Sequence, residues 1–169
     1  MFELCASILA ANSACLKREV RAAESAGGDV SYIDIMDGHF VSAISFGTGI
    51  VRTMGRLTQK PLDVHLMVEN PLPFIPELAE EKVERVSVHY EIPGGPEKAL
   101  RAIREAGMQA GLVLDPETPN GAAKPYLHGL DRILLMTVCP GRGGRRIWRA
   151  VIRRLRAFAL FWTVSAVGL

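Results

Sequence analysis

The feature that most constrains the fold of this chain is a regular alternation of short apolar segments with longer amphipathic ones. Six segments rich in apolar and β-forming residues begin 22 to 31 residues apart, which leaves room for one helix between neighbours. They predict strands over residues 4–8, 31–36, 62–66, 85–90, 110–114 and 132–137. Parallel strands joined by crossover helices produce this pattern, so the fold class is α/β.

Two of the intervening segments, residues 14–25 and 96–106, have the apolar spacing of amphipathic helices, and Gly27 and Gly107 follow them where a left-handed C-cap is expected. The strands are almost continuously apolar, as expected when both faces of a sheet are buried. An open doubly wound sheet and a βα barrel both fit this pattern. Neither GxGxxG nor GxxxxGK[ST] follows the first strand, so dinucleotide and P-loop sites lose their usual support.

The charges divide the chain into two parts. All 18 acidic residues lie at or before Asp131, whereas residues 142–169 hold seven arginines and no acid. The first part therefore carries a net charge of −5 and the tail one of +7, which together give the +2 of the whole chain. We expect a domain over residues 1–144 and an atypical Arg-rich, apolar tail over residues 145–169.

The three cysteines, Cys5, Cys15 and Cys139, form no CxxC pair, so neither a zinc knuckle nor a disulfide framework is indicated. The N-terminal segment lacks the basic region of a signal peptide. The longest uncharged apolar run, residues 157–169, is shorter than the roughly 18 residues that a membrane span needs. We expect a cytoplasmic protein with neither a membrane nor a nucleic acid as its partner.

Polar side chains cluster where the predicted strands end. Asp34 lies inside the second strand, where an apolar environment makes an isolated carboxylate costly. His65 ends the third strand, and an imidazole with a carboxylate suits Zn, Mn, Fe or Co. In a βα barrel such strand ends meet at one mouth, so these residues are candidates for a shared site. A structural ion pair for Asp34 and a purely structural role for His65 are the alternatives.

Methionines also stand at strand ends, and a glycine-rich turn follows the sixth strand. Met36, Met67 and Met136 fit either core packing or a polarizable wall around a delocalised anion. The run from Pro140 to Gly144 could bring backbone N–H groups close to a phosphate, although an ordinary loop also explains it.

Taken in order, these segments resemble the ribulose-phosphate 3-epimerase family over about residues 4–144. The runs that carry the resemblance are Ser7-Ile8-Leu9, D-I-M-D-G-H-F-V from Asp34, P-L-D-V-H-L-M-V-E-N-P from Pro61, V-H-Y-E from Val88 and L-M-T-V-C-P-G from Leu135. The resemblance implies a TIM (β/α)8 barrel, of which this chain supplies about six βα units. It also implies interconversion of D-ribulose 5-phosphate and D-xylulose 5-phosphate in the pentose phosphate pathway, by two carboxylates and a divalent metal through an enediolate.

The resemblance assigns roles to individual residues. It makes Asp34 a catalytic acid/base and a metal ligand, and His65 a metal ligand that also contacts substrate. Substrate-contacting positions correspond to Ser7, Met36, Met67, Met136, Gly141, Gly143 and Gly144. We further expect a homo-oligomer that binds a small ketose phosphate.

Two departures from the family pattern matter. Tyr32 stands where the family has a metal-binding histidine, and a neutral phenol is a poor ligand. The V-D-G-G run that holds the family's second catalytic aspartate is absent from this sequence. We therefore predict little or no epimerase activity for the chain as given. The tail fits either a frame-disrupted C-terminus or a basic helix with Arg149, Arg153 and Arg156 on one face.

Two alternative functions remain open at this point. Allulose-6-phosphate 3-epimerases share these motifs. A partial barrel that binds a partner through its exposed sheet edges or its basic tail, without catalysis, is the alternative from a different functional class.

Overall fold

The chain folds into a six-stranded parallel sheet with intervening helices. The structure, a computed structural model, describes residues 2–143 together with Arg146 and Arg154. The strands are β1 (Cys5–Ser7), β2 (Val30–Met36), β3 (Leu62–Met67), β4 (Arg85–His89), β5 (Gln109–Leu114) and β6 (Arg132–Leu135). The helices are α1 (Leu16–Ser25), α2 (Thr48–Leu57), α3 (Phe74–Glu80) and α4 (Glu97–Glu105), with 3₁₀ segments over Ser13–Cys15 and Asn120–Gly129. Each predicted strand is present, with ends within two residues of the prediction.

The order of the strands decides between the two architectures that the sequence allowed. Neighbours in the sheet follow the chain, β1-β2-β3-β4-β5-β6, and every pair is parallel. A doubly wound sheet reverses its order at a switch point, whereas a barrel adds each strand beside the previous one. The predicted TIM-barrel type, incomplete at six strands over the described residues, is therefore confirmed.

The two faces of the sheet differ in chemistry. Alternate residues such as Ile33, Ile35, Val64 and Leu66 pack with the helices in one large apolar cluster. The residues between them form the other face, which lines the inside of a barrel. That inner face is strongly polar and buried, with Asp34, Asp63, His65, Ser87 and His89 all less than a tenth exposed.

A buried ion pair crosses the inner face below the site. The guanidinium of Arg132 on β6 donates to both carboxylate oxygens of Asp63 on β3 and to Ser87 on β4. Gly111 on β5 makes room for this crossing, because a Cβ there would lie 2.9 Å from Arg132 Nε. One arginine therefore ties β3, β4 and β6 together.

Gly27 and Gly107 follow the ends of helices α1 and α4, as the sequence predicts. Gly27 and Gly107 have φ of +99° and +81°, a conformation that glycine adopts without a Cβ penalty. No helix among the described residues is long and apolar enough to cross a membrane. The proposed helix with Arg149, Arg153 and Arg156 falls outside the described residues, as do Gly144 and most of the segment 145–169.

Removal of one partner of the buried ion pair should destabilise the fold. In Arg132→Met, Asp63 keeps a carboxylate whose side chain is 4% exposed, and we expect the free energy of unfolding to fall by about 3 kcal/mol in urea denaturation. The matched control is Arg101→Met, which breaks a largely exposed contact with Glu105 and should change little. Equal effects of the two substitutions would contradict this account.

Candidate active site

Asp34 is fixed by contacts from three directions. Ser7 Oγ on β1 donates to Asp34 Oδ2 at 2.7 Å, and His65 Nδ1 on β3 lies 3.0 Å from Asp34 Oδ1. Ser45 Oγ, in the loop after β2, donates to the Asp34 carbonyl at 2.5 Å. The strand register places His65 beside Asp34, whereas Ser7 pairs with Tyr32, two residues before Asp34 on the same face of β2. The carboxylate is therefore buried and oriented.

His65 links Asp34 to a second histidine. His65 Nε2 lies 2.8 Å from His89 Nε2 on β4, and the two rings stack with centroids 5.0 Å apart. Both imidazoles are buried. Burial lowers the pKa of His65, and the hydrogen bond to Asp34 offsets this only in part. In the absence of metal His65 is therefore a neutral ring between Asp34 and His89.

The far side of His89 faces two carboxylates. His89 Nδ1 lies 3.3 Å from Glu91 Oε2 and 3.1 Å from Asp115 Oδ1. Burial alone would lower the pKa of His89, but the close contacts with the Asp115 and Glu91 carboxylates outweigh it and raise that pKa. The same contact with His89, together with donors from Thr118 and the Asp115 backbone, outweighs burial at Glu91 and lowers its pKa.

Tyr32 lies on β2 two residues before Asp34 and is fully buried in a small cluster with Val113 and Leu134. Its hydroxyl has no hydrogen-bond partner among the described residues. Burial, with the nearby charges of Asp63 and Asp34, raises the pKa of Tyr32 well above 10. The phenol is therefore neutral at physiological pH.

A divalent cation can bind between Asp34 and His65, but Tyr32 is a poor third ligand for it. Asp34 Oδ1 and His65 Nδ1 are 3.0 Å apart and buried, a spacing that two donors about 2.1 Å from one ion can have. Tyr32 offers only a neutral oxygen, because its proton is held too tightly to leave. The donor set therefore supports cation binding through one carboxylate and one imidazole.

Most of the predicted substrate-contacting residues lie in or beside two small apolar clusters. Met36 and Met67 are buried together with Val41, whereas Met136 packs with the Tyr32 cluster. Gly141 has φ of +97°, and a Cβ there would lie 3.0 Å from Val41 Cβ. This close approach places the turn after β6 beside the loop that follows β2. Gly143 lies near Leu9, and Gly144 is outside the described residues.

The cluster of His89, Glu91 and Asp115 was not predicted from the sequence, although all three residues stand at or just after the ends of predicted strands. The signal was available, because the carboxyl ends of neighbouring strands β4 and β5 must lie together. The role of Ser45 had no signal, since it lies in a loop whose path the strand pattern does not determine.

Comparisons with known proteins now decide the family. A sequence model described as the Ribulose-phosphate 3 epimerase family matches residues 3–163. The chain is 40% identical to ribulose-phosphate 3-epimerase of Bacillus subtilis over 156 residues, which cover 92% of this chain and 72% of that protein. This chain belongs to the ribulose-phosphate 3-epimerase family. The predicted resemblance is thereby confirmed.

A second relative and a solved structure complete the comparison. Ribulose-phosphate 3-epimerase of Chlamydia trachomatis is 37% identical over 150 residues, which cover 89% of this chain but 64% of that protein. A structure of tryptophan synthase from Mycobacterium tuberculosis superposes with a TM-score of 0.66 at 14% identity, covering 99% of this chain and 75% of that one. At that identity the likeness supports the fold alone.

The pKa values of His65 and His89 should be shifted in opposite directions from the ordinary value of histidine. In metal-free protein, we expect NMR of the ring nitrogens to show His89 keeping both protons above about pH 6.5, while His65 stays neutral below it. The stabilisation from His89 is then fully present below pH 6.5 and is lost as the pH rises through its raised folded-state pKa.

Asp115→Asn tests the cause of this difference. It removes one of the two carboxylates near His89 and should lower the His89 pKa. Glu117→Gln removes an exposed carboxylate from the same loop and should leave the pKa unchanged. If the pKa of His89 stays the same in both variants, the Asp115 carboxylate is not the cause of its shift.

Proposed function

We propose that this chain carries the Asp34 half of a sugar-phosphate 3-epimerase site acting on D-ribulose 5-phosphate and D-xylulose 5-phosphate. The observation that carries the proposal is the Asp34 carboxylate, buried and oriented by Ser7 at 2.7 Å and His65 at 3.0 Å. Membership of the family supports the substrate class. The reaction needs a base that removes the proton from C3 of the ketose phosphate.

Each residue of the site contributes a separate part of this chemistry. Asp34 takes the C3 proton, and Ser7 and His65 hold its two oxygens so that the carboxylate keeps one orientation. Met36, Met67 and Met136 supply an apolar boundary around the enediolate. The turn with Gly141 and Gly143 supplies backbone N–H groups for the phosphate, and the role of Gly144, outside the described residues, stays a prediction.

A divalent metal is part of the proposal, held by Asp34 Oδ1 and His65 Nδ1. When bound, such a cation supplies Lewis-acid stabilisation of the charge on the C2 oxygen. Zn, Fe, Mn and Co all accept this combination of donors. The homo-oligomeric state and the cytoplasmic location stay predictions.

Inversion at C3 requires a second acid on the opposite face of the substrate, since one base returns the proton to the face it left. Asp37 does not supply it, because its carboxylate already accepts backbone N–H groups of His39, Phe40 and Glu69, which lower its pKa despite partial burial. Glu91 is engaged with His89 and Thr118. Asp34 is thus the rim carboxylate of the described residues that suits proton transfer at C3.

The chain should exchange the C3 proton faster than it inverts C3. In D₂O with ribulose 5-phosphate and added Zn²⁺, Mn²⁺ or Fe²⁺, we expect NMR to show deuterium at C3 of unconverted substrate, with little xylulose 5-phosphate. Asp34→Asn should abolish the exchange, whereas Glu117→Gln should not. Robust inversion would refute the one-acid account, and absence of exchange in the unaltered chain would favour a non-catalytic binding protein.

Replacement of the phenol by an imidazole should strengthen cation binding. Tyr32→His supplies a neutral nitrogen ligand at the position where the family has histidine, and we expect the Mn²⁺ affinity in calorimetry to rise at least about tenfold. Tyr32→Phe removes only the hydroxyl and should leave the affinity unchanged. The gain should disappear when Asp34→Asn is added. A gain that persists in that double variant would place the cation elsewhere.

A further inference from the structure

The strongest feature outside the Asp34–His65 pair is a cluster of three donor atoms at the ends of β4 and β5. His89, Glu91 and Asp115 each present one donor, and these atoms all lie within 4.8 Å of one another. His89 Nδ1 is 3.3 Å from Glu91 Oε2 and 3.1 Å from Asp115 Oδ1. The two distances from His89 Nδ1 are of the size found between donors that each lie about 2.1 Å from one transition-metal ion.

One carboxylate oxygen of the cluster lacks a hydrogen bond that would compete with a cation. Asp115 Oδ1 is buried and has no hydrogen-bond partner of proper geometry within the described part of the chain, although it lies near His89. A buried oxygen without a partner is costly. A cation would satisfy it and Glu91 Oε2 together. Glu91 and Asp115 side chains are 24% and 26% exposed, so the cluster is open to solvent on one side.

The surroundings hold the three ligands in place. Glu91 Oε1 accepts the backbone N–H of Asp115 at 3.0 Å and the Thr118 hydroxyl, which leaves Oε2 to face His89. His89 is packed between the rings of His65 and Phe40. Its other ring nitrogen lies 2.8 Å from His65 Nε2, so a metal-bound His89 would have a partner for its remaining N–H.

One nearby positive charge opposes a cation. Arg154 Nη1 donates to the carbonyl oxygens of Asp115 and Pro116, and Arg154 Nε donates to Asn120 Oδ1. The arginine therefore holds the backbone of the loop after β5 rather than the two carboxylates. Once His89 gives up its extra proton to bind a cation, the two carboxylates and this guanidinium leave the cluster with net negative charge.

We propose that His89, Glu91 and Asp115 form a second binding site for a divalent transition-metal cation, separate from the Asp34–His65 pair. One imidazole nitrogen and two carboxylate oxygens are a ligand set that Zn²⁺, Co²⁺, Mn²⁺ and Fe²⁺ accept. The bound cation would join the ends of β4 and β5 and complete the ligand positions with water.

Co²⁺ titration of the Asp34→Asn protein tests this site without the first one. We expect one Co²⁺ per chain with visible absorption bands of protein ligation, measured together with calorimetry. Addition of Asp115→Asn, or separately of Glu91→Gln, should weaken binding at least about tenfold, since even the loss of an outer-shell partner costs 10-fold or more. The matched control, addition of Glu117→Gln, should leave the affinity unchanged.

The outcomes are distinct from those of the epimerase proposal. If Asp34→Asn protein binds no Co²⁺, or if its affinity ignores both Asp115→Asn and Glu91→Gln, the second site is refuted whatever the exchange assay shows. Glu91→Gln keeps an oxygen that can accept from Asp115 and Thr118, so it guards against loss of binding through misfolding. Circular dichroism of each variant, matched to the unaltered chain, completes the test.

Discussion

The buried contact between Asp34 and His65 is the interaction on which the rest of the site depends. A carboxylate on the inner face of a sheet is tolerated only where other groups satisfy its oxygens. Ser7 and His65 do this from the strands on either side, and Ser45 fixes the backbone at the same residue. Because the donors come from β1 and β3, the position of Asp34 is set by the sheet and not by a mobile loop.

The same inner face explains how a polar interior is kept stable. Below the site, Arg132 satisfies Asp63 and Ser87 across three strands. Buried polar networks specify one arrangement when every member is satisfied. Tyr32 is an exception, with a hydroxyl that has no partner among the described residues. Tyr32 stands at the position where the family has a metal-binding histidine. The buried hydroxyl without a hydrogen bond therefore lies at the same residue that changes the predicted metal ligands.

Strand positions and the chemistry of their ends were predictable from the sequence, because apolar runs and their spacing depend on local composition. The choice between a barrel and a doubly wound sheet did not follow from that local pattern, since both have it and differ only in which strands are neighbours, and it was predicted only through the family motifs. The period of two in a strand places Asp63 and His65 on one face, but no sequence pattern shows that Asp63 pairs with Arg132 across 69 residues. Family motifs identified Asp34, whereas the Glu91–Asp115 cluster needed the register of β4 and β5.

The link between the two imidazoles has a consequence for how they present lone pairs. At pH values above the raised pKa of His89 the pair is neutral and carries two ring protons, one of which lies between the Nε2 atoms of His65 and His89. The other proton must sit on one of the two Nδ1 atoms, so only one ring at a time turns a lone pair outward. Occupation of the Asp34 end thus places a proton at the Glu91 end, and the reverse also holds. The two stacked rings therefore offer a cation only one of their two Nδ1 atoms at a time.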